Sequence, residues 1–133
     1  MISNIFQFLT KKSKMADPIN DRLKHLFDLQ YDFQHQIGNG NKIYKGANNV
    51  DSEYVREQTL ALIDEIMEAL RETAWKTWKK NQHLNHDNMK EELIDAWHFL
   101  INLSMAAGMD SAEVYDLFVK KSQVNRDRQF VGR

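Results

Sequence analysis

The chain has no cysteine, a single proline and five glycines among its 133 residues. The lack of cysteine excludes disulfides and thiolate metal sites, and it fits a reducing compartment, so we expect a cytoplasmic protein. Because proline and glycine interrupt helices, their scarcity after residue 50 favours long helices over many short strands. No apolar run reaches the ~20 residues that span a bilayer, so we expect no membrane partner.

An excess of charge of either sign is also missing. Lysine and arginine number 18 against 19 acidic residues, which leaves a net charge of −1. A broad basic field is typical of nucleic-acid binders, so we expect no nucleic-acid partner. With 42% hydrophobic and 28% charged residues, the composition is that of an ordinary globular domain.

The first 16 residues differ from the rest of the chain. Residues 2–10 are apolar and Lys11, Lys12 and Lys14 follow them, but no positive region precedes them, which argues against a secretory signal. We interpret residues 1–16 as a leader or oligomer contact, with a weak membrane-surface anchor as the alternative. Residues 17–133 are predicted to form one all-α domain.

Capping residues and glycines predict four helices. The first helix begins near Pro18 and ends before Gly38, and the second begins at Asp51 or Ser52 and reaches at least Arg71. The third helix runs from near Asp87 to Gly108. The fourth helix starts at Asp110, and Glu113 completes its capping box. The segment 38–50 is predicted to be a polar loop, either plainly solvated or a lid over substrate. A polar, basic tail is expected from Asn125.

Apolar stripes mark one face of the second and third helices. The stripes are Leu60, Ile63, Met67 and Leu70 on the second helix, and Leu93, Trp97 and Leu100 on the third. Their helical spacing places each stripe on a single face. We therefore expect the stripes to pack in the core, and we assign Trp97 to core packing.

Acidic residues on these helices form the most informative pattern. Glu65 and Glu68 are three residues apart on the second helix, and Glu92 and Asp95 are three apart on the third. Such pairs share a helix face, so antiparallel packing would bring the four carboxylates together. The alternative is a solvated acidic face with charged partners one turn away.

Four carboxylates at one point repel each other strongly unless a cation lies among them. Mg²⁺ prefers oxygen ligands and often bridges protein carboxylates to substrate phosphates, so it is the expected cofactor, with Mn²⁺ as a substitute. Both pairs border the apolar stripes, where unpaired carboxylates are costly. This placement favours a metal site over a solvated face.

The order Asp64-Glu65-x-x-Glu68 then Glu92-x-x-Asp95 resembles the EExxE…ExxD signature of the all-α NTP pyrophosphatases, which include MazG-like enzymes and dimeric dUTPases. The dimeric dUTPase branch is similar in three further segments. These are Trp75-Lys76-Thr77-Trp78-Lys79, Asp95-Ala96-Trp97-His98-Phe99, and Lys121-x-x-x-Asn125-x-x-Arg128-Gln129. The resemblance extends from about Leu26 to Gln129 and implies a four-helix bundle that assembles through subunit packing.

The resemblance also implies roles for individual residues. Glu65, Glu68, Glu92 and Asp95 would ligate Mg²⁺, with Glu65 and Glu68 catalytic and Glu65 orienting or deprotonating the attacking water. Lys121, Asn125 and Arg128 would hold phosphates, which suits their chemistry. Gln30 and Gln34 would contact the base, although the family usually has asparagine at the position of Gln34. This departure puts uracil selectivity in doubt.

Two tryptophans remain open between two roles. Trp75 and Trp78 follow the acidic helix and either stack on a base or pack between subunits.

The sequence therefore predicts a homodimeric or homotetrameric, Mg²⁺-dependent enzyme that converts a deoxynucleoside triphosphate to its monophosphate and diphosphate. We expect dUTP as the first substrate and dGTP as the second. A non-catalytic helical oligomerisation or adaptor module derived from such an enzyme is the alternative. A phosphohydrolase that releases orthophosphate is a third reading.

Overall fold

The computed structural model describes residues 20–46 and 48–130, and these contain helices and no strand. The four α-helices are α1 (Arg22–Gln36), α2 (Ser52–Arg71), α3 (His86–Ala106) and α4 (Ser111–Phe130), and a 3₁₀ turn spans Gly40–Lys42. The prediction of an all-α, four-helix chain is thus confirmed. The predicted leader 1–16 and the predicted helix start at Pro18 lie outside the described residues.

Each helix begins where a side chain caps its first turn. The carboxylates of Asp21, Asp51 and Asp110 and the amide oxygen of Asn85 accept hydrogen bonds of 2.9–3.0 Å from backbone N–H groups three residues ahead. Such caps satisfy N–H groups that the helix itself leaves unpaired. The fourth helix continues to Phe130, so the predicted polar tail from Asn125 is helical as far as that residue.

Helices α2 and α3 form the most extensive contact in the fold, and α1 and then α4 pack around it. Glu65 and Glu68 of α2 lie beside Glu92 of α3, whereas Gln58 of α2 is hydrogen-bonded to Asn102 of α3. The contacts pair late residues of α2 with early residues of α3, and earlier residues of α2 with later residues of α3. The two helices are therefore antiparallel. This is the arrangement that the acidic pairs require.

The core lies where α1 meets the start of α2 and the end of α3. Its buried apolar members are Phe27, Ile43, Tyr54, Ile101, Met105 and Ala106. Ile43 belongs to the loop 38–50, and the adjacent Tyr44 N–H donates to the Met105 carbonyl over 3.1 Å. This loop is therefore attached to the core at Ile43 rather than solvated along its whole length.

The apolar stripes do not fill this core. Trp97 is 55% exposed and Leu60 is 60% exposed, so the prediction that Trp97 packs in the core of the chain is wrong. The surfaces of α2 and α3 that are buried include the small residues Ala69 and Ala96 instead. Close packing along small side chains leaves the bulky stripes on outward-facing sides of the helices.

Among the described residues, no helix combines the length and the apolar character needed to cross a membrane.

Candidate active site

Three carboxylates converge where α2 and α3 pack. Glu65 and Glu68 project from neighbouring turns of α2, and Glu92 projects from α3. One carboxylate oxygen of each residue lies within 4.8 Å of the other two, and all three side chains are half-buried. Their i,i+3 spacing and the antiparallel packing produce this convergence.

Crowding changes the acid–base properties of this group. The pKa of Glu65 is raised to about 8, first by burial and then by a hydrogen bond with Glu92 and by the charges of Asp95, Glu68 and Glu92. The pKa of Glu68 is also raised, chiefly by its hydrogen bond with Glu92. Carboxyl groups that cannot all ionise side by side retain a proton between them.

Two further acidic residues of α3 border the cluster. Asp95 lies outside the three-residue group, but burial and the charge of Glu92 raise its pKa, while His98 opposes the shift. Burial also raises the pKa of Glu91, with Asp95 and Glu92 adding to it. The predicted four-ligand set is thus a tight trio with Asp95 at its edge and Glu91 as an additional neighbour.

The oxygen atoms of this site fit a hard cation. Oε2 of Glu65 and Oε2 of Glu91 are both buried and have no hydrogen-bond partner among the described residues. Buried polar atoms in that state are rare unless a water or an ion satisfies them. A divalent cation among Glu65, Glu68 and Glu92 would satisfy the Glu65 oxygen and remove the repulsion, so the cluster could bind a metal.

A cavity of about 410 Å³ opens beside the carboxylates. Glu65 and Asp95 contribute to its wall, together with apolar and amide side chains from α1, α2, α3 and the loop after α1. The remaining lining residues are Gln30, Phe33, Gln34, Ile37, Asn39, Gln58, His98, Phe99 and Asn102. Aromatic rings and amides next to a carboxylate cluster suit a planar polar group.

Buried amides cross this cavity in a hydrogen-bonded relay. Gln30 Nε2 donates to Asn102 Oδ1 over 2.8 Å, and Asn102 Nδ2 donates to Gln58 Oε1 over 2.8 Å. Gln30 and Asn102 are both buried. The relay therefore connects three helices through their side-chain amides.

The amide of Gln34 is held by two different groups. The Tyr54 hydroxyl donates to Gln34 Oε1 over 2.7 Å, and Asn39 Nδ2 donates to the same oxygen over 3.2 Å. Both predicted base-contacting residues, Gln30 and Gln34, thus line the cavity beside the carboxylates.

The two predicted base-stacking tryptophans lie elsewhere. Trp75 and Trp78 make an edge-to-face contact with ring centroids 5.8 Å apart, and Lys76 Nζ lies 5.6 Å from the Trp75 centroid. Trp75 and Lys76 border a separate, 160 Å³ surface cavity that Arg71 and Lys79 also line. Within one chain, these tryptophans are not part of the amide-lined cavity.

The predicted phosphate-contacting residues also lie outside the cavity lining. Lys121, Asn125 and Arg128 are exposed on α4, and α4 packs mainly on α1. None of the three is among the residues that line the 410 Å³ cavity.

Sequence reasoning missed Asn102, Gln58 and Tyr54, and it placed Asn39 only in the loop 38–50, for which a lid over substrate was one alternative. One of them carried a signal, because Asn102 stands between Ile101 and Leu103 in the apolar half of α3. A polar residue in such a position needs a buried partner, and its partners are the amides of the cavity.

Comparison with known proteins identifies the class to which this site belongs. Residues 22–130 match the model of a protein family described as dUTPase. The chain belongs to this all-α dUTPase family, a group of nucleoside triphosphate pyrophosphatases.

Two viral proteins are individually similar. A dCTP pyrophosphatase of Enterobacteria phage T4 is 26% identical over 141 residues, which covers 84% of this chain and 82% of that protein. A dCTP pyrophosphatase of Enterobacteria phage LZ5 is 36% identical over 70 residues, which covers 44% of this chain and 41% of that protein. No solved structure gives a significant match.

Proposed function

We propose that this protein hydrolyses a pyrimidine deoxynucleoside triphosphate to its monophosphate and diphosphate with the help of Mg²⁺. The observation that carries the proposal is the convergence of Glu65, Glu68 and Glu92 beside an amide-lined cavity. The cavity offers aromatic and amide contacts to a base, and the carboxylates offer ligands for the cation that accompanies a triphosphate.

Each part of the site has a role in this reaction. A bound Mg²⁺ would neutralise phosphate charge and lower the pKa of a water molecule. Glu65 orients or deprotonates the attacking water, since its carboxyl group lies at the junction of cluster and cavity. Glu65, Glu68 and Glu92 would hold the cation with Asp95 at the edge of the cluster, and the amide end of the cavity would hold the base.

The comparisons favour a pyrimidine as the base of the substrate. The family description and the relatives' names refer to uracil and cytosine nucleotides, which favours a pyrimidine over dGTP. We retain dUTP as the first candidate and place dCTP second. A purine such as dGTP remains a candidate for the substrate panel.

We further propose that the active unit is a homodimer or homotetramer. The stripes containing Leu60 and Trp97 are exposed in the single chain, and burying them would remove apolar surface from water. A second copy would also offer a way to bring Lys121, Asn125 and Arg128, or Trp75 and Trp78, to a neighbouring site.

Product analysis tests this function. The protein is incubated with each deoxynucleoside triphosphate and Mg²⁺, and diphosphate and orthophosphate are measured separately. We expect diphosphate with equimolar monophosphate, a large loss with Glu68→Gln or Asp95→Asn, and little change with Glu57→Gln, an exposed glutamate on the same helix as Glu68.

Each of the other outcomes supports a different function or contradicts the proposed one. Release of orthophosphate indicates a phosphohydrolase. Absence of any hydrolysis indicates the non-catalytic oligomerisation module. Full activity of Glu68→Gln would contradict the metal assignment.

A further inference from the structure

Helix α4 is the one α-helix of the described chain that contains no buried residue. Val114 in its first turn packs against the core, and the helix otherwise contacts mainly α1. Large apolar side chains on it are open to solvent, since Tyr115 is 62% exposed and Phe118 is 74% exposed. Because helices in proteins gain most of their stability from packing an apolar face, α4 needs a further surface to cover it.

A cavity of about 340 Å³ lies where the starts of α1 and α4 meet. Its wall includes Asp21, which caps α1, and Tyr115 and Asp116 of α4. Val119 lies one turn beyond Tyr115 on the same side of α4 and is also exposed. The cavity therefore continues into the open apolar side chains, and we call this region the α4 surface (Tyr115, Asp116, Phe118 and Val119).

The described chain begins beside the α4 surface. Asn20 is the first described residue, and it directly precedes Asp21 in the wall of the cavity. Residues 1–19 are thus attached next to this surface. Leu9 is eleven positions before Asn20, and a flexible connector of that length spans about 18 Å. The α4 surface extends only about 6 Å along the helix, so the segment can reach all of it.

Residues 1–14 contain an apolar pattern that fits such a surface. The pattern has the i, i+3, i+4, i+7 spacing of one helix face, and its members are Ile2, Ile5, Phe6 and Leu9. Gln7 lies within this stretch but off that face. An apolar face of this kind is stabilised by contact with other apolar side chains, which removes both surfaces from water.

The charges of the segment and of α4 are opposite. Lys11, Lys12 and Lys14 follow the apolar pattern, and residues 1–14 contain no acidic residue. Residues 110–119 contain three acidic residues and no basic residue. Among the described residues, Asp116 forms no ion pair. The lysines would therefore be attracted to the first half of α4, and this attraction would favour one orientation of the segment.

We infer that residues 1–14 bind to the α4 surface of the same chain, with their apolar pattern against its apolar side chains and their lysines beside Asp116. The chain's own segment is favoured over a second copy, because a short flexible connector gives it an effective concentration in the millimolar range. Since α4 carries Lys121 and Arg128, this contact would also fix the helix that holds the predicted phosphate contacts. The contact is independent of the proposed hydrolysis.

Amide hydrogen exchange in α4 tests the contact in the full-length chain. Phe6→Asp places a charge within the apolar pattern. It should raise the exchange rates of the amides from Tyr115 to Gln123 by about tenfold, because burial of one phenylalanine changes an equilibrium constant by at least about that factor. Gln7→Asp introduces the same charge at the adjacent position off that face, and it should leave these rates close to those of wild type.

Matched changes on α4 test the other side of the contact. Phe118→Ala should raise the same exchange rates, whereas Phe130→Ala should not, although Phe130 is exposed too and lies at the far end of the helix. Asp116→Lys should also raise the rates. Adding Lys11→Glu and Lys12→Glu to Asp116→Lys should lower them again, because the two charges then attract each other.

Cross-linking identifies what covers the α4 surface. The chain has no cysteine, so Thr10→Cys combined with Gln123→Cys gives a protein with two thiols at chosen positions. Gln123 follows Val119 by one turn on the same side of α4. A short bismaleimide should join the two thiols within one chain, and the product should migrate as a monomer on a denaturing gel. A mixture of the two single variants should give no cross-linked dimer.

Three results would overturn the inference. Equal exchange rates in α4 for Phe6→Asp and Gln7→Asp would show that the apolar pattern does not cover the helix. A cross-linked dimer from the mixed single variants would assign the α4 surface to a second copy. Sedimentation of the wild-type protein with vesicles of phosphatidylcholine and phosphatidylglycerol, abolished by Phe6→Asp, would assign the segment to a membrane surface.

Discussion

Gln30 on α1 and Asn102 on α3 are separated by 72 positions in the chain, yet their amides are joined by a buried hydrogen bond of 2.8 Å. Asn102 uses its other end to donate to Gln58 on α2. One asparagine thus links three helices and is hydrogen-bonded to two glutamines that line the cavity.

Replacing Asn102 with alanine is expected to destabilise the protein. Gln30 and Gln58 would each lose a partner, and a buried amide left unsatisfied costs about 1–3 kcal/mol. Urea denaturation should show a lower free energy of unfolding for Asn102→Ala, whereas Gln36→Ala, at an exposed position at the end of α1, should stay within about 0.5 kcal/mol of wild type. Equal stability of the two variants would contradict a structural role for the relay.

Glu65 predicts how the stability of the metal-free protein depends on pH. Its pKa is raised from 4.5 to about 8 in the folded state. A raised carboxyl pKa favours folding while the group is protonated, so this contribution is full below about pH 4.5 and is lost as pH rises to about 8. The melting temperature in EDTA should therefore fall over this interval by more in wild type than in Glu65→Gln. Glu57→Gln should behave like wild type, and parallel curves for wild type and Glu65→Gln would contradict the assignment.

Cation binding should release protons from the same cluster. A cation favours the ionised carboxylates, so Mg²⁺ must displace the proton that Glu65 holds below about pH 8. Calorimetric titration at pH 7 in two buffers with different ionisation enthalpies should give different observed heats for wild type. The difference should shrink in Glu65→Gln. Heats that do not depend on the buffer would show that Mg²⁺ binds elsewhere or not at all.

The exposed stripes predict association of the chain with itself. A single copy has a mass of 15.7 kDa, and light scattering after gel filtration should give a multiple of that value. Trp97→Glu and Leu60→Glu place a charge within the exposed stripes and should lower the mass toward one copy. Lys90→Glu, an exposed charge reversal on α3, serves as the control. A wild-type monomer would refute the proposed assembly.

The predicted phosphate-contacting role of Lys121 and Arg128 on α4 has a direct test. Lys121→Ala and Arg128→Ala are expected to raise KM for the nucleotide about tenfold or more, because each removes a charge-assisted contact to phosphate. Mg²⁺ affinity without nucleotide should be preserved. Lys120→Ala removes an equal charge from the adjacent exposed position, which points about 100° away around the helix. If Lys120→Ala raises KM as much as Lys121→Ala, the effect is general electrostatics and not a specific contact.

Local signals in the sequence were sufficient to predict the helices. Asp51 and Asp110 cap α2 and α4 because a carboxylate in that position satisfies N–H groups only three residues away. The spacing of Glu65 and Glu68 likewise predicts a shared face, since helical geometry relates residues one turn apart. These features depend on short stretches of chain, and a sequence displays them directly.

The sequence did not predict in the same way which surfaces are buried within the chain. Apolar periodicity marked the stripe of Trp97 as buried, but it does not say whether the covering partner is another helix of the chain or another molecule. Ile43 in a polar loop gave no periodic signal, although it is 4% exposed in the core. Each of these outcomes depends on which surfaces meet after the helices assemble.

By itself, the sequence determined an all-α chain with two acidic helices and a balanced charge, because helix capping, periodicity and i,i+3 spacing act over a few residues. Only the tertiary structure decided that Glu92 lies against Glu65 and that Tyr54 holds the amide of Gln34. Those contacts join residues from different helices, and their geometry exists only once the helices have packed.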